Sequence, residues 1–231
     1  MSSRELNGEH HPAVPVAALP SEVDPEFTVL GVSYVEDAAA PTLRFELEAR
    51  EGSGREIFTI ALTAQINIDP ARRSYDAETR GRLVELFGEP ERWAATTHSF
   101  LLAYSSALVP SFTGSTTFSL PLVCTYDLEL AAAKYFYSLP GGHVPLSFHF
   151  SGSVLHRGAD GAIQVVAIPW SCSARWRMPV ATWRKMIERH YPNSSWVRLH
   201  PDTAELLRNY KASAGLLSID AAITALLEAR S

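Results

Sequence analysis

Cysteine is scarce in this chain of 231 residues, which has only Cys124 and Cys172. Two widely separated thiols cannot by themselves ligate a zinc ion or an iron–sulfur cluster. They are also too few for the disulfide framework of a small secreted domain, and read as structural free thiols in a reducing compartment. Long apolar runs are missing too. A membrane helix needs roughly 18–20 such residues, and the most hydrophobic stretch, Leu120 to Leu139, is broken by Asp127, Glu129 and Lys134. The N-terminal stretch MSSRELNGEHHPAVPVAALP carries three prolines and no uninterrupted apolar core, so it is not a secretory signal. A cytoplasmic location without a membrane span is expected.

The chemical motifs are equally sparse. There is no GxGxxG or GxxxxGKS/T phosphate cradle, no HExxH, no CxxC and no GxSxG elbow. Phe112-Thr113-Gly114-Ser115-Thr116 places a serine after a glycine but lacks the second glycine, and reads as a loop. The net charge of −5 gives no global pull toward nucleic acid. No cofactor, metal or catalytic residue is expected from the residues themselves, and an enzymatic role is disfavoured.

What is present is β patterning followed by helical patterning. Residues 1–25 lack periodicity and are expected to form a disordered tail; His10-His11 there is read as an accidental pair. Residues 26–231 are expected to form a single α+β domain. Its first part, about 27–170, is an antiparallel β-sandwich or curled sheet, and a packed helical part follows at about 179–230. Leu43, Phe45 and Leu47 alternate with charged residues, and Phe58, Ile60, Leu62, Ala64, Ile66 and Ile68 alternate with small polar ones. Across the EGSG turn at 51–54 these two runs suggest a hairpin. The stretches 97–109 and 115–126 are further strands, and 144–156 with 162–168 forms a hairpin around the GADG loop. Helices are expected at 76–87, 127–139, 179–190, 201–213 and 219–229, the last burying Ile219, Ala222, Ile223, Leu226 and Leu227. The segment 169–178 reads as a loop whose tryptophans pack against the fold.

His149 and His156 differ in parity on one strand, so they face opposite sides and cannot form a ligand pair. Glu46 and Glu48, flanked by Arg44 and Arg50, read as a solvated salt network. One segment stands out. Between 170 and 200 the cations are Arg175, Arg177, Arg184, Lys185, Arg189 and Arg198, and Glu188 is the only acid. The same stretch holds Trp170, Trp176, Trp183, Tyr191 and Trp196. Arginine with aromatic residues is the composition of interface anchors. The competing reading is that the tryptophans seal the β part to the helices while the arginines lie over them. The candidate partner-binding set is therefore Arg175, Trp176, Arg177, Arg184, Lys185, Arg189, Tyr191 and Trp196. A nucleic-acid partner is disfavoured by the acidic remainder of the chain. A second hypothesis is a small-molecule binding protein or enzyme with a pocket between sheet and helices, drawing on His149, Arg175, Arg177 and Tyr191.

Several local phrases recur together: INIDPARRSY (66–75), LFGEPERW (86–93), VPSFTGST (109–116), LPLVCTYDLELAAAKYF (120–136), VPLSFHFSG (144–152), IPWSC (168–172), MPVATWRKMIERHYP (178–192) and SSWVRL (194–199). In this order they resemble an uncharacterised family of actinobacterial proteins, often encoded beside uptake nickel–iron hydrogenase genes; Ile168 stands where that family suggests Val. The resemblance implies an accessory or maturation role, with a hydrogenase subunit or maturation factor as partner. It supplies no catalytic residues. The chain is not itself the hydrogenase, which needs cysteines for its metals.

Overall fold

A computed structural model describes residues 23–124, 130–158, 160–193 and 199–229. Among them are nine strands and six helices, and the packing divides the chain into two compact units between His190 and Tyr191. The sheets are antiparallel and open.

In the first unit, β1 (Glu26–Tyr34), β2 (Thr42–Arg50) and β6 (Ser115–Val123) form one sheet in the order β1-β2-β6. The second sheet is built on β3 (Glu56–Ile68) and the 15-residue β7 (His143–Arg157). On the outer side of β3 lie β4 (Phe100–Val109) and the short β5 (Phe112–Thr113). On the other side of β7, β8 (Ile163–Ala167) pairs with residues 153–157 and β9 (Ser173–Pro179) with residues 143–149. The bend between β8 and β9 is fastened by the Ile168 N–H to the Gly152 carbonyl and by the Phe150 N–H to the Cys172 carbonyl, both 3.0 Å.

Alternation places Phe45, Leu47 and Leu120 of one sheet and Ile60, Leu62, Ile66 and Phe148 of the other in a single buried layer. Phe27 meets Phe150 with ring centroids 4.7 Å apart, and Phe45 meets Phe148 at 5.2 Å, so the two sheets interdigitate as a β-sandwich. Val23, ahead of β1, is fully buried, whereas residues 1–22 lie outside the described residues.

Two sequence expectations change here. The runs around Leu43–Leu47 and Phe58–Ile68 are not a hairpin, because β2 pairs with β1 and β6 while β3 pairs with β4, β5 and β7. The turn between them crosses the sandwich. Buried Glu51 locks it: its carboxylate accepts the Ser53 N–H at 3.0 Å and the Ser53 hydroxyl at 2.7 Å, while its own N–H donates to the Gly114 carbonyl at 2.7 Å. The second change is the segment read as a loop at 169–178, whose residues from Ser173 belong to β9.

Helices α1 (Ala77–Phe87), α2 (Trp93–Thr96), α3 (Leu130–Ser138) and α4 (Val180–His190) complete this unit. Asp76 caps α1 by accepting the Thr79 N–H at 2.7 Å, which holds its carboxyl below the usual range. The part of the expected 127–139 helix at 127–129 lies outside the described residues; Tyr135 and Leu139 of its stripe are fully buried. An aromatic chain links the helices to the sandwich. Tyr135 contacts Phe87 at 6.0 Å and Phe100 at 5.9 Å, and Phe136 stacks on Trp183 of α4 at 4.8 Å and 9°.

The second unit contains α5 (Pro201–Ser213) and α6 (Ile219–Glu228). Ser218 caps α6, its hydroxyl accepting the Ala221 N–H at 3.0 Å. Of the stripe expected inward on α6, only Ala222 is buried; Ile219, Leu226 and Leu227 are exposed. Two helices of 13 and 10 residues make one shared contact line, too narrow to enclose a stripe of that width. No helix among the described residues is long and apolar enough to cross a membrane.

Candidate functional site

The candidate partner-binding residues separate once the fold is known. On β9, alternation sends Arg175 and Arg177 to the outer face of the larger sheet and Trp176 inward, where it packs half-buried on the core. Arg184 is exposed, but its guanidinium donates to the Pro140 carbonyl at 2.9 Å and also to the Leu139 carbonyl. It thereby closes the C-terminal end of α3. Lys185 and Arg189 lie on the exposed face of α4, opposite buried Trp183 and Met186. Tyr191 is half-buried at the start of the second unit, and Trp196 lies outside the described residues. The structure thus brings Arg175 and Arg177 together, and separately Lys185 and Arg189, but it does not gather the set into one patch.

Composition pointed to residues 170–200, whereas the exposed apolar side chains lie partly elsewhere. Trp170, at 93% exposure, tips the bend after β8, whose Ile163 and Val165 are also exposed. In the helical unit Leu217 is 95% and Leu206 69% exposed. Sequence periodicity could not have found Leu206 as a surface residue, since an apolar stripe normally signals burial; Leu217 lies on the connection before α6.

A second locus lies wholly within the first unit. The outer face of the larger sheet carries a polar ladder. Thr63 and Ser106 share a hydroxyl hydrogen bond at 3.0 Å, and the Gln65 amide donates to Asn67 Oδ1 at 3.2 Å. At the end of this face is a half-open cleft of about 340 Å³ lined by Asp69, Arg72, Ser99, Ser147, His149, Ser173 and Arg175, with two alanines. Register explains the assembly. Ser147 faces Arg175 and His149 faces Ser173 across β7 and β9. Asp69, just past β3, is anchored by its N–H to the Pro145 carbonyl at 2.9 Å, and its carboxylate accepts the Ser147 hydroxyl at 3.2 Å. Pro70 starts a single 3-10 turn, Pro70–Arg72, that presents Arg72 to the cleft.

His149 and Arg175 of the pocket hypothesis do meet here, on the open sheet face and not between sheet and helices; Arg177 and Tyr191 do not line the cleft. His156, of opposite parity, is buried, as the alternation required. Among the described residues no group of three His, Cys, Asp or Glu could hold a metal ion.

Neither thiol is activated. Burial pushes Cys124 up to about 12, and burial followed by the charges of Asp24 and Glu26 pushes Cys172 up to about 11. Both cysteines are free.

These features define a class: an α+β protein with a β-sandwich core, a helical C-terminal part and a polar cleft on one open sheet face. The chain belongs to the family of unknown function DUF6084, whose family model matches residues 22–231. No curated protein matches it. Among solved structures, it is similar to a solution structure assigned to the late embryogenesis abundant (LEA) proteins, at 13% identity and a TM-score of 0.30, covering 71% of this chain and 74% of that one. It is also similar to a structure assigned as the ApaA protein of Bordetella pertussis, at 12% identity and a TM-score of 0.25, covering 68% and 93%. A β-glucosidase of Kluyveromyces marxianus matches at 6% identity and a TM-score of 0.24, over 68% of this chain and 15% of the enzyme. None of these likenesses bears on function.

Proposed function

We propose that the protein is a non-catalytic accessory factor that holds a protein partner in the cytoplasm of an actinobacterial cell. The partner is a subunit or maturation factor of a nickel–iron hydrogenase system. The observation that carries the reading is the apolar surface of the helical unit. Leu206 and Leu217 are exposed at 69% and 95%, with Ile219 and Leu226 also above a third exposed. Exposed leucines on an amphipathic helix and on the connection beside it are what a partner surface uses as its buried centre. Lys185 and Arg189 on α4 add cationic contacts of their own. The partner class is supported by the sequence phrases shared with proteins encoded beside hydrogenase genes.

The test is a tagged pull-down from the native host with mass spectrometry, comparing the full chain with Leu206→Glu and Leu217→Glu. Both substitutions fall on exposed sites and leave the sandwich untouched. Hydrogenase-system proteins should be enriched by the native chain and lost with the variants. A pull-down that enriches no hydrogenase-system protein, or enriches it equally with both variants, refutes the proposal.

A further inference from the structure

We propose that the cleft at the end of the outer sheet face is a binding site for a small organic oxyanion, a carboxylate or phosphate ester that also carries a hydroxyl. This goes beyond the partner-holding role and uses different residues.

Charge is the first argument. Arg72 and Arg175 both line the cleft, neither is in an ion pair among the described residues, and the one carboxylate there, Asp69, is engaged by the Ser147 hydroxyl. Several other guanidiniums of this unit are engaged. Arg50 pairs with Glu48, Arg82 with Glu78 and Arg157 with Glu56, while Arg73 donates to the Gly141 and His143 carbonyls at 2.6 and 2.7 Å. What sets Arg72 and Arg175 apart from other arginines outside ion pairs among the described residues, such as Arg177, is that both line one concavity. Planar guanidinium forks match the paired oxygens of carboxylate and phosphate.

The second argument is the supply of further polar groups. Ser99 and Ser173 bring hydroxyls and His149 an imidazole to the same walls, while the single O–H of Ser147 is already given to Asp69. Asp69 is fixed by its backbone bond to Pro145 and by Ser147, leaving carboxylate lone pairs to accept from a ligand hydroxyl. The third is size. At about 340 Å³ the cleft sits at the lower end of the range for small-molecule sites, enough for a ligand of a few carbons. His149, Ser173 and Arg175 stand on the paired strands β7 and β9, so the sheet holds them before a ligand arrives, while Arg72 is held by the 3-10 turn after β3.

The experiment titrates the full-length, isotopically labelled protein with DL-glycerol 3-phosphate and, separately, with DL-malate at constant 0.15 M ionic strength (about physiological), following backbone amide shifts. Saturable shifts confined to the 69–72, 147–149 and 173–175 segments are expected with at least one probe, and the better probe identifies phosphate or carboxylate. Arg175→Gln and Arg72→Gln should each weaken binding roughly 10–100-fold. His149→Ala should weaken it less, and Arg177→Gln, on the same face outside the cleft, should leave it unchanged. Far-UV circular dichroism establishes that each variant is folded, and the exposed His149 provides a second site should an arginine variant fail. Absence of saturable shifts with both probes overturns the proposal. So does binding that Arg72→Gln and Arg175→Gln leave intact, or that Arg177→Gln weakens equally.

Discussion

Trp183 offers the sharpest test of how the helices are joined to the sandwich. Its side chain is 3% exposed, stacked on Phe136 at 4.8 Å and meeting Tyr137 edge-on at 5.0 Å and 84°. Its indole N–H has no hydrogen-bond partner among the described residues, so its contribution there comes from area and ring contacts. A buried aromatic covers roughly 150–250 Å², about 4–6 kcal/mol at ~25 cal/mol per Å². Measured truncations of such residues cost about 3–5 kcal/mol. Trp183→Ala should therefore lower the unfolding free energy by about 3–5 kcal/mol. Trp183→Phe keeps a ring on Phe136 and removes a donor that bonds nothing among the described residues, so it should cost clearly less than Trp183→Ala, the remainder being set by the cavity left by the lost ring. Urea unfolding followed by far-UV circular dichroism reads both, with unchanged m-values confirming that only stability moved. If Trp183→Ala falls within about 1 kcal/mol of the native chain, the residue is not the joint between α3 and α4 and the packing argument fails.

Four further outcomes follow from the same geometry. The Tyr75 hydroxyl donates to the Pro70 carbonyl at 2.8 Å, so in its 2.6 Å contact with Tyr135 it must accept. Tyr135→Phe should then cost only about 1 kcal/mol, whereas Tyr75→Phe strands the buried Tyr135 donor and should cost about 2–3 kcal/mol in thermal or urea unfolding. Burial raises both phenols above 10.0, so the folded state keeps protons that the unfolded chain releases there. Their stabilisation is complete below pH 10 and declines as pH rises beyond it; Tyr135→Phe should flatten that decline in a Tm–pH series. At Gly152, φ is +134° and a Cβ would lie 1.9 Å from the Ala61 carbonyl oxygen, so Gly152→Ala should cost about 3 kcal/mol or more, while Gly31→Ala, with open space around it, should stay within about 1 kcal/mol. Ellman's reagent at neutral pH should leave Cys124 unlabelled until unfolding, with half-exposed Cys172 reacting slowly; rapid native labelling of Cys124 would contradict its burial.

The sandwich was legible because period-two burial is a local property. Leu43, Phe45 and Leu47 are buried where alternation put them, and the expected β7–β8 hairpin pairs Ser153 with Ala167 through Arg157 with Ile163. Partner choice was not legible. Nothing in the Glu51–Arg55 turn distinguishes a hairpin from a crossing to the opposite sheet, because the decision rests on β1 and β6 claiming both edges of β2. Phe58 shows a finer failure. A register shift between Ile57 and Thr59 absorbs one residue, so Ile57 and not Phe58 is fully buried with Ile60, and Phe58 instead lies under the Arg157 guanidinium at 5.0 Å. Strand β9 was missed because Arg-Trp-Arg alternation looked like an aromatic–cation cluster. The cleft was half legible: His149 and Arg175 were weighed together, but Asp69 and Arg72 reach it through a turn beyond the end of β3, and such loop geometry carries no periodic signal.

The two surfaces differ enough in chemistry to be separated in solution. An apolar leucine surface gains from desolvation, which added salt leaves intact or strengthens. The cleft depends on two guanidiniums facing an oxyanion at an open, solvent-screened site, where attraction falls as the Debye length shrinks from about 10 Å at 0.1 M salt to about 3 Å at 1 M. Raising salt over that range should therefore release a cleft-bound anion while leaving a partner held by Leu206 and Leu217 in place. If both were lost together, the partner would be held through charge, and the exposed cations Arg175, Arg177, Lys185 and Arg189 would replace the leucines as its contact surface.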